Sequence, residues 1–179
     1  MRYCVFCGSN RGASPSYVSA TAELARCLVA KGIGIVYGGG NVGLMGVLAD
    51  AALAEGGEVV GVIPRMLMDK EIAHRRLSEL RVVGSMHERK ALMADLSDAF
   101  IAAPGGYGTL DEFCEILTWT QLGLQKKPVG ILNVDGYFDH LLALFDHAVT
   151  EQFVKPMHRD MIVTDDTPQS LIARMRLPG

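Results

Sequence analysis

Apolar residues along this chain fall into short blocks separated by longer stretches with helical spacing. The blocks "RYCVFC", "IGIVY", "EVVGVIP", "LRVVG", "AFIAAP", "PVGILNV" and "MIVTD" are bounded by glycine, proline or polar residues and read as strands. "EVVGVIP", "LRVVG", "AFIAAP" and "PVGILNV" are of the fully buried type, apolar on both faces. Between the first two blocks, "SPSYVSATAELARCLVAKG" predicts a helix with Ser14 as N-cap, Pro15 at the first position and Gly32 as C-cap. Its core stripe is Tyr17, Thr21, Leu24 and Leu28. "GLMGVLADAALAEGG" is a small-residue helix suited to close packing on a sheet. Further helices are predicted near 86–97, 109–122 and 137–153, and a last one in "TPQSLIARMR" with Thr167 as N-cap.

Strands alternating with helices predict a parallel sheet of about seven strands, helices on both faces and right-handed crossovers. The expectation is a Rossmann-like α/β fold, one domain over residues 1–179 with no internal repeat. Ligands in such sheets bind beyond the carboxyl ends of the strands. That rule places "CGSN" with Ser9, "YGGGNVG" with Gly39 and Gly40, "VIPRMLMDKEI" and "APGGYGT" on one functional edge.

Composition narrows the class without setting it. Hydrophobic residues make up 49% and charged residues 21% of the 179, an ordinary globular balance. The net charge of -3 argues against a nucleic-acid partner. No run approaches the ~18 apolar residues of a membrane span, and the apolar start is too short for a signal peptide. A cytoplasmic protein is expected. Cys4 and Cys7 in "CVFC" lack the second pair that a zinc site needs, and in a strand they point to opposite faces. With Cys27 and Cys114 they are expected to be reduced cysteines, and no metal site is predicted.

Two glycine-rich loops carry the candidate chemistry. "GGGNVG" matches G-x-G-x-x-G, but the next strand ends in Pro64 and Arg65 where a dinucleotide site wants a carboxylate for the ribose. "PGGYGTLDE" offers the amides of Gly105, Gly106 and Gly108 before a helix expected to begin near Thr109, the makings of an anion site. Glu112 admits two readings. Thr109-x-x-Glu112 fits a capping box, and a carboxylate in a first helical turn also suits stabilising a cation or accepting a proton. Upstream, Arg89 and Lys90 sit early in a helix, where the dipole disfavours cations. An anionic ligand accounts for them; so does a solvated face paired with Glu88 or Asp95.

Taken in order, "GGGNVGLMG", "SMHERKALM", "PGGYGTLDE" and "ILTWTQLGLQKKPVGILNVDGYFDHLL" resemble the lonely-guy (LOG) family, over nearly the whole chain up to about residue 155. These are cytokinin riboside 5′-monophosphate phosphoribohydrolases, which hydrolyse the N-glycosidic bond of N6-substituted AMP, or of AMP itself, to free base and ribose 5-phosphate. The resemblance implies Glu112 and Arg89 as catalytic residues. It also implies substrate contacts at Glu71, Lys90, Gly105, Gly106, Tyr107, Gly108, Thr109 and Thr118. It further implies a homodimer that needs no cofactor. Proteins of this kind have also been labelled possible lysine decarboxylases, yet no lysine here sits in a recognisable pyridoxal phosphate context. The alternative is a non-catalytic nucleotide or molybdenum-cofactor carrier, or a sensor, on the same fold. No group to protonate a departing purine stands out. His140 and His147 read as a solvated helix face, and His87 lies on a different side of its helix from Arg89.

Overall fold

The computed structural model describes residues 1–68 and 73–175. β1 (Arg2–Phe6), α1 (Pro15–Ala30), β2 (Gly34–Tyr37), α2 (Gly43–Ala54) and β3 (Val59–Pro64) form the first part of the chain. β4 (Glu79–Val83), α3 (Met86–Asp95), β5 (Ala99–Ala102), α4 (Tyr107–Gln121), β6 (Val129–Leu132), α5 (Asp139–Thr150), α6 (Pro156–Arg159), β7 (Ile162–Asp165) and α7 (Pro168–Arg174) follow. All seven strands are parallel, in the order β4-β3-β2-β1-β5-β6-β7. The Rossmann-like sheet expected from the alternation is the one observed.

Helices cover both faces, and the pleat of β1 shows why. Cys4 and Phe6 point into a core shared with Met93 of α3 and with Phe113 and Ile116 of α4. Val5 and Cys7 point into the opposite core, with Leu24 and Leu28 of α1, Leu48 of α2 and Leu171 of α7. Burying each such leucine is worth roughly 1.5–3 kcal/mol, so truncating Leu24 or Leu28 to alanine would loosen α1 from the sheet. α1 ends as its sequence requires. Gly32, at φ 68°, closes a Schellman turn in which Ile33 N donates to Leu28 O at 3.0 Å and Gly32 N to Val29 O at 2.8 Å.

Two expectations need correction. "LRVVG" is not a doubly buried strand: β4 lies at the sheet edge, Val82 is exposed, and Arg81 pairs with Glu79 at 2.6 Å. Charged residues on a strand that pairs on one side only are the usual way to blunt an edge. Thr167 does occupy the N-cap position of α7, but its side chain makes no cap bond. The carboxylate of Asp165 ties the start of α7 instead, accepting from Ser170 Oγ at 2.6 Å and from Thr167 N at 3.4 Å.

The strand order fixes where a ligand can sit. From β1 the chain runs outward through β2, β3 and β4, then returns to β5 on the other side of β1. The loops after β1 and β5 therefore diverge at neighbouring strand ends, opening a crevice between them. They touch at its base, where Gly8 N donates to Pro104 O at 3.0 Å.

Candidate active site

The loop that follows β5 enters α4 without a side-chain cap. α4 begins at Tyr107, with Gly106 as its N-cap at φ −99° and ψ −153°, two residues before the expected start at Thr109. Thr109 is thus the third helical residue, and Glu112 stands in the second turn. The Thr109–Glu112 capping box is not formed, which removes the structural reading of Glu112 as a cap. A box of that kind occurs instead at α3, where Ser85 Oγ accepts from Glu88 N at 3.1 Å and Glu88 Oε2 from Gly84 N at 2.6 Å. Hydrogen bonding within α4 starts with Leu110 N to Gly106 O at 3.1 Å. The N–H groups of Tyr107, Gly108 and Thr109 precede that bond and form the positive end of the helix dipole.

Position 105 must be glycine for this geometry. A Cβ there would lie 2.1 Å from Thr109 Oγ1 and 2.9 Å from Gly8 N, so any larger residue would push the two loops apart. Gly106 and Gly108 leave open space where a side chain would stand.

These elements enclose a cleft of about 290 Å³. Gly8, Ser9 and Asn10 form one wall and Gly106 to Thr109 another, while Arg89 and Glu112 face each other across it. Arg89 Nε lies 3.9 Å from Glu112 Oε1, and Arg89 Nη2 donates to the carbonyl oxygen of Gly38 at 3.1 Å. Arg89 is only 5% exposed. A buried guanidinium is tolerated when carbonyls and carboxylates surround it. Tyr107, at the mouth of the cleft, is 93% exposed, an aromatic ring with little protein against it. Cys7 also lines the cleft; burial, helped by the Glu112 carboxylate, pushes its thiol well above the ordinary range and leaves it a poor nucleophile.

The "GGG" run is explained by the same arginine. A Cβ on Gly38 would lie 2.1 Å from Arg89 Nη2. Gly39 turns the chain at φ 78°, and Gly40 bridges to Ala73 while accepting from Tyr37 Oη at 3.1 Å. The loop thus holds Arg89 from behind, and Gly39 and Gly40 do not line the cleft.

The remaining expected contacts divide. Ser9, Gly106, Tyr107, Gly108 and Thr109 meet in the cleft with Arg89 and Glu112. Gly105 faces an adjoining compartment of about 250 Å³ that shares Gly8, Ser9, Asn10 and Gly106 with it. Lys90 lies outside the cleft lining: its Nζ is 3.2 Å from Asp111 Oδ2 and 3.0 Å from Glu115 Oε2, clamping α3 to α4. Burial opposes its charge, but the two carboxylates outweigh that and raise its pKa. Its partners are not the Glu88 and Asp95 that the sequence suggested. Thr118 hydrogen-bonds back to Cys114 O at 2.8 Å and lines a separate pocket of about 170 Å³ with Phe145 and His158. Glu71 lies outside the described residues.

Asn10, Cys7 and Met45 line the cleft without having been singled out. For Asn10 the signal was its place in "CGSN" at a strand end; for Met45 nothing local marks it. His87, His140 and His147 are exposed. The buried histidine is His74, whose Nε2 lies 3.3 Å from Asp50 Oδ1. Among the described residues no cluster of histidine, cysteine and carboxylate could hold a metal, and no helix is long and apolar enough to cross a membrane.

Comparison with known proteins shows the family. Residues 45–175 match the family described as "Possible lysine decarboxylase". A probable cytokinin riboside 5′-monophosphate phosphoribohydrolase of Oryza sativa subsp. japonica (LOGL9) is 53% identical over 174 residues, covering 97% of this chain and 77% of that protein. The cytokinin riboside 5′-monophosphate phosphoribohydrolase LOG3 of Arabidopsis thaliana is 49% identical, covering 97% of this chain and 81% of its own length. The molybdenum cofactor binding protein of Rippkaea orientalis superposes with a TM-score of 0.71 at 23% identity, over 96% of this chain and 93% of that one, a likeness of fold. With about half of its residues identical to theirs over 97% of its length, the chain belongs to the family of cytokinin riboside 5′-monophosphate phosphoribohydrolases.

Proposed function

We propose that this protein hydrolyses the N-glycosidic bond of AMP or an N6-substituted AMP, releasing the free base and ribose 5-phosphate. The observation that carries the proposal is the meeting, in one cleft, of an amide-lined helix N-terminus with the Arg89–Glu112 pair, whose Nε and Oε1 are 3.9 Å apart. The relatives named above act, by their names, on a nucleoside 5′-monophosphate of this class.

In this reading the N–H groups at the start of α4 and the Thr109 hydroxyl hold the 5′-phosphate. That anchors the ribose beside Glu112. As the C1′–N9 bond breaks, its electron pair leaves with the purine and positive charge develops on the ribose. The Glu112 carboxylate steadies that charge and takes a proton from the attacking water, whose oxygen bonds to C1′. The proton ends on the purine. Arg89 keeps Glu112 oriented and supplies charge-assisted hydrogen bonds to ribose or phosphate. Tyr107 offers its ring to the base at the cleft mouth.

A homodimer belongs to the same proposal. Leu122 and Leu124, just beyond α4, and Leu144 of α5 are exposed, and α5 has no fully buried residue. A second copy is the occupant that the family resemblance implies for this apolar surface. A cytoplasmic setting fits the four free cysteines.

Incubating the protein with AMP and separating the products tests the central step. Adenine and ribose 5-phosphate should appear in equal amounts. Tight AMP binding with no adenine after overnight incubation would instead mark a carrier.

A further inference from the structure

We propose that Tyr137 is a positioning residue that sets the phosphate loop. The inference rests on the phosphate-binding role assigned above to the start of α4. The Tyr137 hydroxyl donates to the carbonyl oxygen of Gly105, 32 residues away in the chain. In a planar trans peptide the C=O and the following N–H point in opposite directions. Gripping Gly105 O from the adjoining compartment, which Tyr137 lines, therefore turns the Gly106 N–H the other way, and Gly106 lines the cleft where the anion would sit. Gly105 is packed against Thr109 and Gly8, but Gly106 has open space where a side chain would stand, so the hydrogen bond on Gly105 O bears on how the Gly106 N–H is aimed.

Tyr137 is itself held more firmly than a partly exposed tyrosine needs to be. Its N–H donates to Val134 O at 3.0 Å, closing a turn in which Asp135 adopts φ 50° and Gly136 φ 71°. A left-handed aspartate persists when its surroundings fix it. Ser16 Oγ, at the start of α1, donates to Asp135 Oδ2 at 2.5 Å, and Asn133 Oδ1 accepts from Phe138 N at 2.7 Å. The ring is braced edge-on by Tyr17 and Phe138, with centroids 5.5 Å and 4.9 Å away. The loop after β6 thus reaches across to the loop after β5, and Tyr137 makes its polar contact there on the peptide preceding the anion site.

Tyr137→Phe keeps the ring and removes only the hydroxyl. Inorganic phosphate titrated into the protein, followed by NMR, gives a readout that packing alone would not move. The Kd for phosphate and the KM for AMP should rise together by about fivefold, with the melting temperature and any residual adenosine hydrolysis unchanged. An unchanged phosphate Kd, with or without a lower melting temperature, overturns the proposal and leaves Tyr137 a packing residue. Wild type that binds no phosphate overturns it as well. Wild type that binds phosphate but does not hydrolyse AMP would sink the hydrolase reading, while the Tyr137→Phe titration would still decide this one.

Discussion

Arg89 reaches the carbonyl of Gly38 at 3.1 Å because residue 38 has no side chain; a Cβ there would stand 2.1 Å from the same guanidinium nitrogen. The two are 51 residues apart: Gly38 lies in the loop after β2 and Arg89 in the first half of α3. The same edge of the guanidinium carries Nε, 3.9 Å from Glu112 Oε1, so the contact also sets how the arginine meets Glu112.

Gly38→Ala should therefore act as an active-site mutation although residue 38 bears no reactive group. The methyl has to displace Arg89 Nη2 and also crowds Met45 Sδ, 3.2 Å away. A misplaced catalytic group costs rate steeply. We expect kcat/KM for AMP to fall at least about tenfold, ~1.4 kcal/mol of transition-state stabilisation. Steady-state kinetics on the folded variant check this, and wild-type kinetics would mean that Arg89 is not held from behind.

Much of the fold was legible because parallel sheets leave a plain signature of apolar blocks separated by helical spacing. Seven such blocks gave seven strands. Edge position had one cue, Arg81 inside the apolar run of "LRVVG", and the pairing partners of β4 show that it lies outermost. The start of α4 was misplaced for a local reason. Its first turn, Tyr107 and Gly108, carries no hydrophobic periodicity, so the sequence pattern begins only at Thr109 and Leu110. That two-residue shift decides whether Glu112 caps the helix or faces the cleft. The residues of the site were largely visible as motifs, whereas the contacts that orient them, Gly38 to Arg89 and Tyr137 to Gly105, join distant segments and leave no local trace.

Acid stability gives a test remote from the cleft. Asp165, just before α7, accepts from Ser170 in the first turn of that helix and from Arg174 at its end, and these bonds hold its pKa at about 2, against 3.8 for an ordinary aspartate. A carboxylate depressed on folding contributes stability that is full above its unfolded pKa and is lost as pH falls toward the folded one. The melting temperature should thus drop between about pH 4.5 and pH 2, and Asp165→Asn should flatten that part of the profile while lowering stability at neutral pH. An identical acid limb in the variant would show that Asp165 does not contribute.

The start of α4 predicts that substrates need a 5′-phosphate. Hydrogen bonds to a charged group are worth about 1.5–3 kcal/mol each. Losing roughly three of them costs about 4–5 kcal/mol or more, on the order of a thousandfold. Because the phosphate anchors the ribose that reacts, part of the loss should fall on kcat as well as KM. AMP and adenosine compared under the same conditions give the answer. Adenosine within threefold of AMP would reduce the glycine loop to a structural turn.

Glu112→Gln measures the central claim most directly. Glu112 does not cap α4, so the isosteric amide should leave the helix intact and the melting temperature within a few degrees of wild type. Among the described residues Glu112 is the only carboxylate that lines the cleft, so without its charge kcat for AMP should fall by about 10²–10³-fold or more. AMP binding should persist. A Glu112→Gln protein that releases adenine from AMP at close to the wild-type rate would contradict the assignment of Glu112 and the mechanism built on it.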